Sequence, residues 1–196
     1  LYVVTRIGKF FGMKTRDDAL ALLHEYTASE GLRKHAYAVE AAMREYARKF
    51  GENEELWGIV GLIHDFDYEK HPTAEEHPMA GAAILEERGY PESIRRAVLS
   101  HADHSGVKRE SRMEKTLYAC DELCGFITAV ALVRPSRQIA DVKVKSVKKK
   151  MKDKAFARAV RREDIVRGAE ELGVPLDEHI ATCIAAMQGV SDALGL

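Results

Sequence analysis

Apolar residues recur along this chain at the three-and-four spacing of helices, and the strict alternation of strands is scarce. Thr15-Arg16-Asp17-Asp18 reads as a helix start, with Thr15 as cap and Asp18 three residues on, and the helix continues to about Tyr26. A second helix is predicted from about Gly31 to Phe50, stopped by Gly51, with Leu32, His35, Val39, Met43 and Tyr46 on its apolar face. The third, about Glu54 to Ile63, is apolar nearly all round, which predicts burial. It runs straight into His64-Asp65.

A polar loop over 66–76 leads to His77-Pro78, and proline suits the first turn of the helix expected from about Pro78 to Arg88. Gly89 ends that helix and Pro91 opens another, which carries Ile94, Ala97 and Val98 towards His101. After a loop over 102–111, a helix from about Met113 to Val133 contains Asp121 and stops before Pro135. Residues 136–140 read as a connector, and a lysine-rich segment spans 143–154. Two more helices, about Arg162 to Leu172 and Leu176 to Leu194, are separated by Gly173 and Pro175. The expectation is an all-α fold: a helical bundle over residues 13–135, with a C-terminal helical extension over 136–196 packed on it.

Composition sets the frame for this pattern. With 196 residues, 46% of them hydrophobic, one domain can bury its core without staples. The three cysteines, Cys120, Cys124 and Cys183, are too few and odd in number for a disulfide framework. They are expected in the core of a protein kept in a reducing cytoplasm. Met13 reads as the natural start, and the preceding residues 1–12, an upstream or added extension, lack the apolar core of a signal peptide. The longest uncharged apolar stretch, 123–133, is well short of the ~20 residues that a spanning helix needs, so no membrane partner is expected.

Acids and bases nearly cancel to a net charge of −1, which gives no global signature for nucleic acid. The lysine-rich segment (Lys143, Lys145, Lys148, Lys149, Lys150, Lys152, Lys154) has few aromatic residues among its charges for base stacking. A solvated helix face is therefore the expectation, and nucleic acid is not an expected partner. The apolar C-terminal helix permits a homodimer.

The candidate chemistry begins at the end of the apolar helix. A carboxylate there, Asp65, is near the interior and needs partners or a cation. Side chains at adjacent positions cannot share a face inside a helix. At a helix end the backbone can turn, so His64 and Asp65 can reach one ion. His35 sits on an apolar face, where a lone histidine is more often a satisfied core residue. Asp121 lies inside Leu117-Tyr118-Ala119-Cys120-Asp121-Glu122-Leu123-Cys124, where an acid wants a charge partner; an ordinary salt bridge is the alternative. His77 precedes a helix and His101 ends one, places where site residues often sit. His104, three residues on, can reach the same cleft. His24, His71 and His179 read as ordinary.

Taken as an ordered set, these residues resemble the HD superfamily of metal-dependent phosphohydrolases. Leu62-Ile63-His64-Asp65 is similar to the family's apolar-apolar-His-Asp core, and His77-Pro78-Met79-Ala80-Gly81-Ala82-Ala83-Ile84-Leu85 to its His-x-x-x-Gly-Ala-x-x-Leu helix. Val98-Leu99-Ser100-His101 fits the next histidine helix, and the resemblance covers about Gly31 to Val133. It implies an HD-domain helical bundle. It implies His35, His64, Asp65 and Asp121 as ligands of one ion, with His77 and His101 added in a dinuclear subclass where Asp65 bridges. There are departures. Asp67 stands where a glycine is often found, and Gly89-Tyr90-Pro91 lies before His101, so it reads as a helix connector rather than as a sign of cyclic dinucleotide cleavage.

Imidazole and carboxylate donors suit Mn, Fe, Co, Ni or Zn, and the oxygens admit Mg, as one or two ions. The reaction implied is hydrolysis of a nucleotide or another small phosphoester by a metal-activated water, with Asp65 as ligand and water-orienting group. Asp67, Glu69 and Lys70 are the candidates for a further acid–base or supporting role, and Arg33, Lys70, Arg95 and His104 for substrate binding. Two alternatives keep the fold: an HD-type di-iron oxygenase, and a non-catalytic nucleotide-binding module.

Overall fold

The computed structural model describes residues 14–196; the Met13 start and the extension over 1–12 lie outside the described residues. Ten α-helices and two short 3-10 turns, and no strand, make up the regular structure of the described residues.

Local rules set the first three helices. In α1 (Arg16–Tyr26) the Thr15 hydroxyl accepts from the Asp18 N–H and the Asp18 carboxylate accepts from the Thr15 N–H, the reciprocal cap that the sequence predicts. The long helix α2 (Glu30–Phe50) is capped by Ser29 and ends at Gly51 with φ 68°, a conformation that only glycine adopts cheaply. It buries Ala36, Ala38, Val39, Ala42, Met43 and Tyr46, spaced on one face. Helix α3 (Glu54–Ile63) is buried from Trp57 to Ile63, as its unbroken apolar run requires. It lies between α1 and α2 and delivers His64 and Asp65 into a turn at its end.

Helices α4 (Met79–Glu87) and α5 (Glu92–Ser100) pair with one another, the chain turning at Gly89 with φ 75°. Helix α6 (Arg112–Leu132), with a Ser111/Glu114 reciprocal cap, crosses the middle of the molecule and packs on α2, α5 and α8. In α7 (Val144–Met151) only Val147 is fully buried while Lys145, Lys148 and Lys149 are exposed, the solvated lysine face expected.

The C-terminal helices join the same core. Ile165 of α8 (Arg162–Leu172), Ile180, Cys183 and Met187 of α9 (Leu176–Gln188) and Leu194 of α10 (Ser191–Leu194) are buried in it. One continuous helix over 176–194 was the expectation. The chain instead breaks after Gly189, where Val190 leaves the helical region (φ −127°, ψ 22°) and α10 starts afresh. Cys120, Cys124 and Cys183 are free and fully buried, and burial pushes the Cys120 thiol above its ordinary range. Among the described residues no helix is long and apolar enough to cross a membrane.

Candidate metal centre

Five elements converge on one point. His35 comes from α2, His64 and Asp65 from the end of α3, His77 from the loop before α4, His101 from the end of α5 and Asp121 from the middle of α6. Their donor atoms form two groups: His35, His64, Asp65 and Asp121 in one, Asp65, His77 and His101 in the other, each with all donors within 4.8 Å of one another. Asp65 belongs to both. Its Oδ2 lies 3.4 Å from His64 Nε2, while its Oδ1 lies 3.2 Å from His77 Nε2 and 3.1 Å from His101 Nε2. Asp121 Oδ1 lies 3.0 Å from His35 Nε2 and 3.4 Å from His64 Nε2.

Three of the histidines are held by their other nitrogen. His64 Nδ1–H donates to the Gly61 carbonyl at 2.8 Å, His101 Nδ1–H to the Val98 carbonyl at 2.5 Å, and His77 Nδ1–H to Asp67 Oδ1 at 3.0 Å. Each bond assigns the proton to Nδ1 and leaves the Nε2 lone pair aimed into the cluster, the arrangement that outer partners impose on metal-binding imidazoles. The two carbonyl partners lie three residues back, on the helix that carries the ring, so the helix end itself orients it.

The cluster fits a cation. His64 Nε2 and Asp65 Oδ1 are buried without a hydrogen-bond partner, a costly arrangement for polar atoms unless something else satisfies them. His77 Nε2 and His101 Nε2 face each other at 3.3 Å, although two lone pairs repel unless a positive charge lies between them. Burial lowers the proton affinity of His77, yet Asp65 and Asp67 outweigh it and carry its pKa up to about 9. Burial disfavours the Asp65 and Asp121 anions too, but the surrounding imidazoles hold both carboxyls well below the usual range. Positive charge is what this site asks for, and a divalent ion supplies it on the donors present.

The cluster forms the floor of a cleft of about 530 Å³. His104 lines it and donates through Nε2 to the His77 carbonyl at 2.7 Å. Asp67 is fully buried beneath it, bonded to His77 and to the Gly81 N–H at 2.9 Å. It holds the His77 ring and does not face the cleft, which limits it to a positioning role.

The other expected side chains lie elsewhere. Lys70 reaches the Glu25 carbonyl and sits over the Tyr26 ring, Arg33 donates to the Thr27 and His24 carbonyls, and Arg95 pairs with Glu86 beside a separate apolar pocket. Glu69 accepts from the Ala28 and Ser29 N–H groups ahead of α2. These four residues serve helix ends and surface pairs; their nearness to the motif in sequence does not carry into space.

Sequence reasoning missed the far wall of the cleft. Tyr68, Asp103, Tyr118, Glu122, Arg161 and Asp164 line it. Behind them Arg109 bonds to Asp103 and Glu171, and Arg167 bonds to Tyr118, Asp103 and Asp164. This network ties the segment after His101 to α6 and α8. Burial and the Asp121 charge raise the Glu122 carboxyl to about 7. A signal was present in the sequence: Asp164, Arg167 and Glu171 recur at helical spacing with alternating charge, as in a stripe that bridges elements.

Residues 32–124 match the HD domain family model, a span that runs from α2 into α6 and includes all six donor residues. No curated protein and no solved structure matches the chain. The matched span draws its histidines and aspartates into one cluster on an all-helical frame, so residues 32–124 are similar to HD domains, a family whose members are generally metal-dependent hydrolases.

Proposed function

We propose that this protein is a metal-dependent phosphohydrolase cleaving a nucleotide or another small phosphoester. The observation that carries the reading is Asp65, whose two carboxylate oxygens face two separate donor groups at the floor of an open cleft. His35, His64, Asp65 and Asp121 would hold one divalent ion, and His77, His101 and Asp65 a second. Mn, Fe, Co, Ni and Zn match these donors, with Mg as a harder alternative. Bound there, such ions supply Lewis-acid polarisation of a phosphoryl oxygen and acidification of a water.

The chain's own groups do the rest. His64, His77 and His101 keep their protons on Nδ1 and offer fixed lone pairs. Asp65 orients the attacking water as a hydrogen-bond acceptor. His104 walls the mouth beside His77.

A shared carboxylate between two histidine-containing groups also suits a di-iron oxygenase, and the same experiment separates the two. Metal is measured by plasma mass spectrometry on untagged wild type and Asp65→Ala, and both are assayed for phosphate release across nucleotides and small phosphoesters. About two ions per chain, lost in the variant together with phosphate release, is the result expected. Bound iron with substrate-dependent oxygen consumption and no phosphate release favours the oxygenase. Protein that stays metal-free after dialysis against Mn, Fe, Ni and Zn salts removes both and leaves a binding module.

A further inference from the structure

We propose that Arg161, at the start of α8 and outside the matched HD domain, is the residue that grips the phosphoryl group of the substrate; this rests on the phosphohydrolase reading. Among the described residues lining the cleft it is the one lysine or arginine. Asp103, Glu122 and Asp164 line the same wall, so a phosphoester oxygen not held by the proposed ions meets carboxylates there unless Arg161 receives it.

Arg161 is built to be that cation. Its main chain is anchored: the N–H donates to Glu122 Oε2 at 3.4 Å, and the carbonyl accepts from Asp164 and Ile165 in the first turn of α8. Its side chain is not a helix cap and remains 65% exposed, with one ion pair, to Asp164 at 3.2 Å. Asp164, 9% exposed, keeps a second partner in Arg167 at 3.1 Å. Arg161 can therefore leave Asp164 without stranding a buried carboxylate, and the loss that normally fixes such a pair is avoided. The neighbouring cations have no such freedom. Arg109 is held by Asp103, Glu171 and the Ser100 carbonyl, and Arg167 by Asp103, Asp164 and Tyr118. Specificity for a phosphorylated ligand is thus supplied by the C-terminal extension, while the ion-binding groups come from the domain core.

The test titrates inorganic phosphate calorimetrically into manganese-loaded wild type, Arg161→Gln and Arg161→Lys, and measures KM and kcat on whichever phosphoester the wild type hydrolyses. Arg161→Gln is expected to weaken phosphate binding and raise KM by about 10- to 100-fold, the loss typical of one charge-assisted contact. The change in kcat should be much smaller, because binding is lost in ground and transition states alike. Arg161→Lys should fall between, keeping the charge but not the planar fork. Metal content and melting temperature should match wild type, since the side chain is mostly in solvent. If both variants bind phosphate and substrate within about twofold of an active wild type, Arg161 is not the grip and the phosphohydrolase reading survives. If wild type neither binds phosphate nor releases it from any phosphoester, both inferences fall together.

Discussion

Asp67 and His77 are locked together: the His77 Nδ1–H donates to Asp67 Oδ1 at 3.0 Å, and the other oxygen of this fully buried carboxylate accepts the Gly81 N–H at 2.9 Å. The residue that departs from the family pattern two positions after the His-Asp doublet thus sets the direction of the His77 ring, a proposed ligand ten residues on. Asp67→Ala leaves His77 free to rotate and the Gly81 N–H unpaired. Affinity of the His77/His101 group for its ion should fall about 10- to 100-fold, the usual effect of removing an outer partner. The His35/His64/Asp121 group should keep its ion. Metal titration followed by mass spectrometry checks this; two ions bound as tightly as in wild type would show that the lock is dispensable.

Gly81 makes the same point from the other side. A Cβ built there lies 2.7 Å from Asp67 Cγ and under 3 Å from both its oxygens. Those atoms are pinned by the two hydrogen bonds and cannot swing away. Gly81→Ala should cost about 1–3 kcal/mol of stability, as overpacking does, and should reproduce the metal defect of Asp67→Ala. The double variant should be less destabilised than the sum of the two, because shortening residue 67 removes the clash. Thermal melts of the four proteins test this, and strict additivity would place the strain elsewhere.

The sequence is legible wherever a signal is local. Helix ends are written in Thr15 with Asp18, in Gly51 and in Gly89, and the structure places them there. The six proposed ligands were legible only as an ordered set that resembles the family's, because each alone has an ordinary reading as a core, capping or ion-paired residue. Lys70, Arg33 and Arg95 were misjudged because charge close to a motif in sequence was read as charge close in space. Each is instead committed to a backbone carbonyl or a surface acid. Arg161 and Asp164 escape for the opposite reason: the charge stripe of α8 does not say what it meets, and only the packing of α8 on α6 brings these residues, some forty positions beyond Asp121, to the cleft.

His179, which read as ordinary, is a fully buried ring bonded on both sides. Its Nε2–H donates to the Ala119 carbonyl at 2.8 Å and its Nδ1 accepts the Tyr46 hydroxyl at 2.6 Å. Burial is the main cause that lowers its pKa below the ordinary 6.5, although the Ala119 carbonyl opposes it. The folded state holds the neutral ring, so its contribution is complete above pH 6.5 and is lost as pH falls through the lowered value. His179→Leu should cost about 2–3 kcal/mol at pH 7.5 by leaving two buried polar groups unpaired. It should also flatten the fall in melting temperature between pH 7.5 and 5. A variant whose melting temperature falls in parallel with wild type would place the acid sensitivity in other groups.

The last prediction concerns how the extension is seated. A Cβ on Gly168 of α8 would lie 2.7 Å from the Ala119 Cα and 3.1 Å from its Cβ, so the two helices touch at backbone distance one half-turn before Asp121. Gly168→Ala must push α8 outward, at a cost of about 1–3 kcal/mol and a melting temperature lower by roughly 2–12 °C for a chain this size. Ala119→Gly should not restore it, because the tighter contact is with main chain. The six proposed metal ligands all come from other elements, so metal content should hold. What moves is the wall carrying Asp164 and Arg167, and with it the tie from Arg167 to Tyr118 and Asp103. KM for a phosphoester should therefore rise while the ions stay bound. If Gly168→Ala loses metal in step with activity, α8 acts on the ligand cluster itself and not on the cleft wall alone.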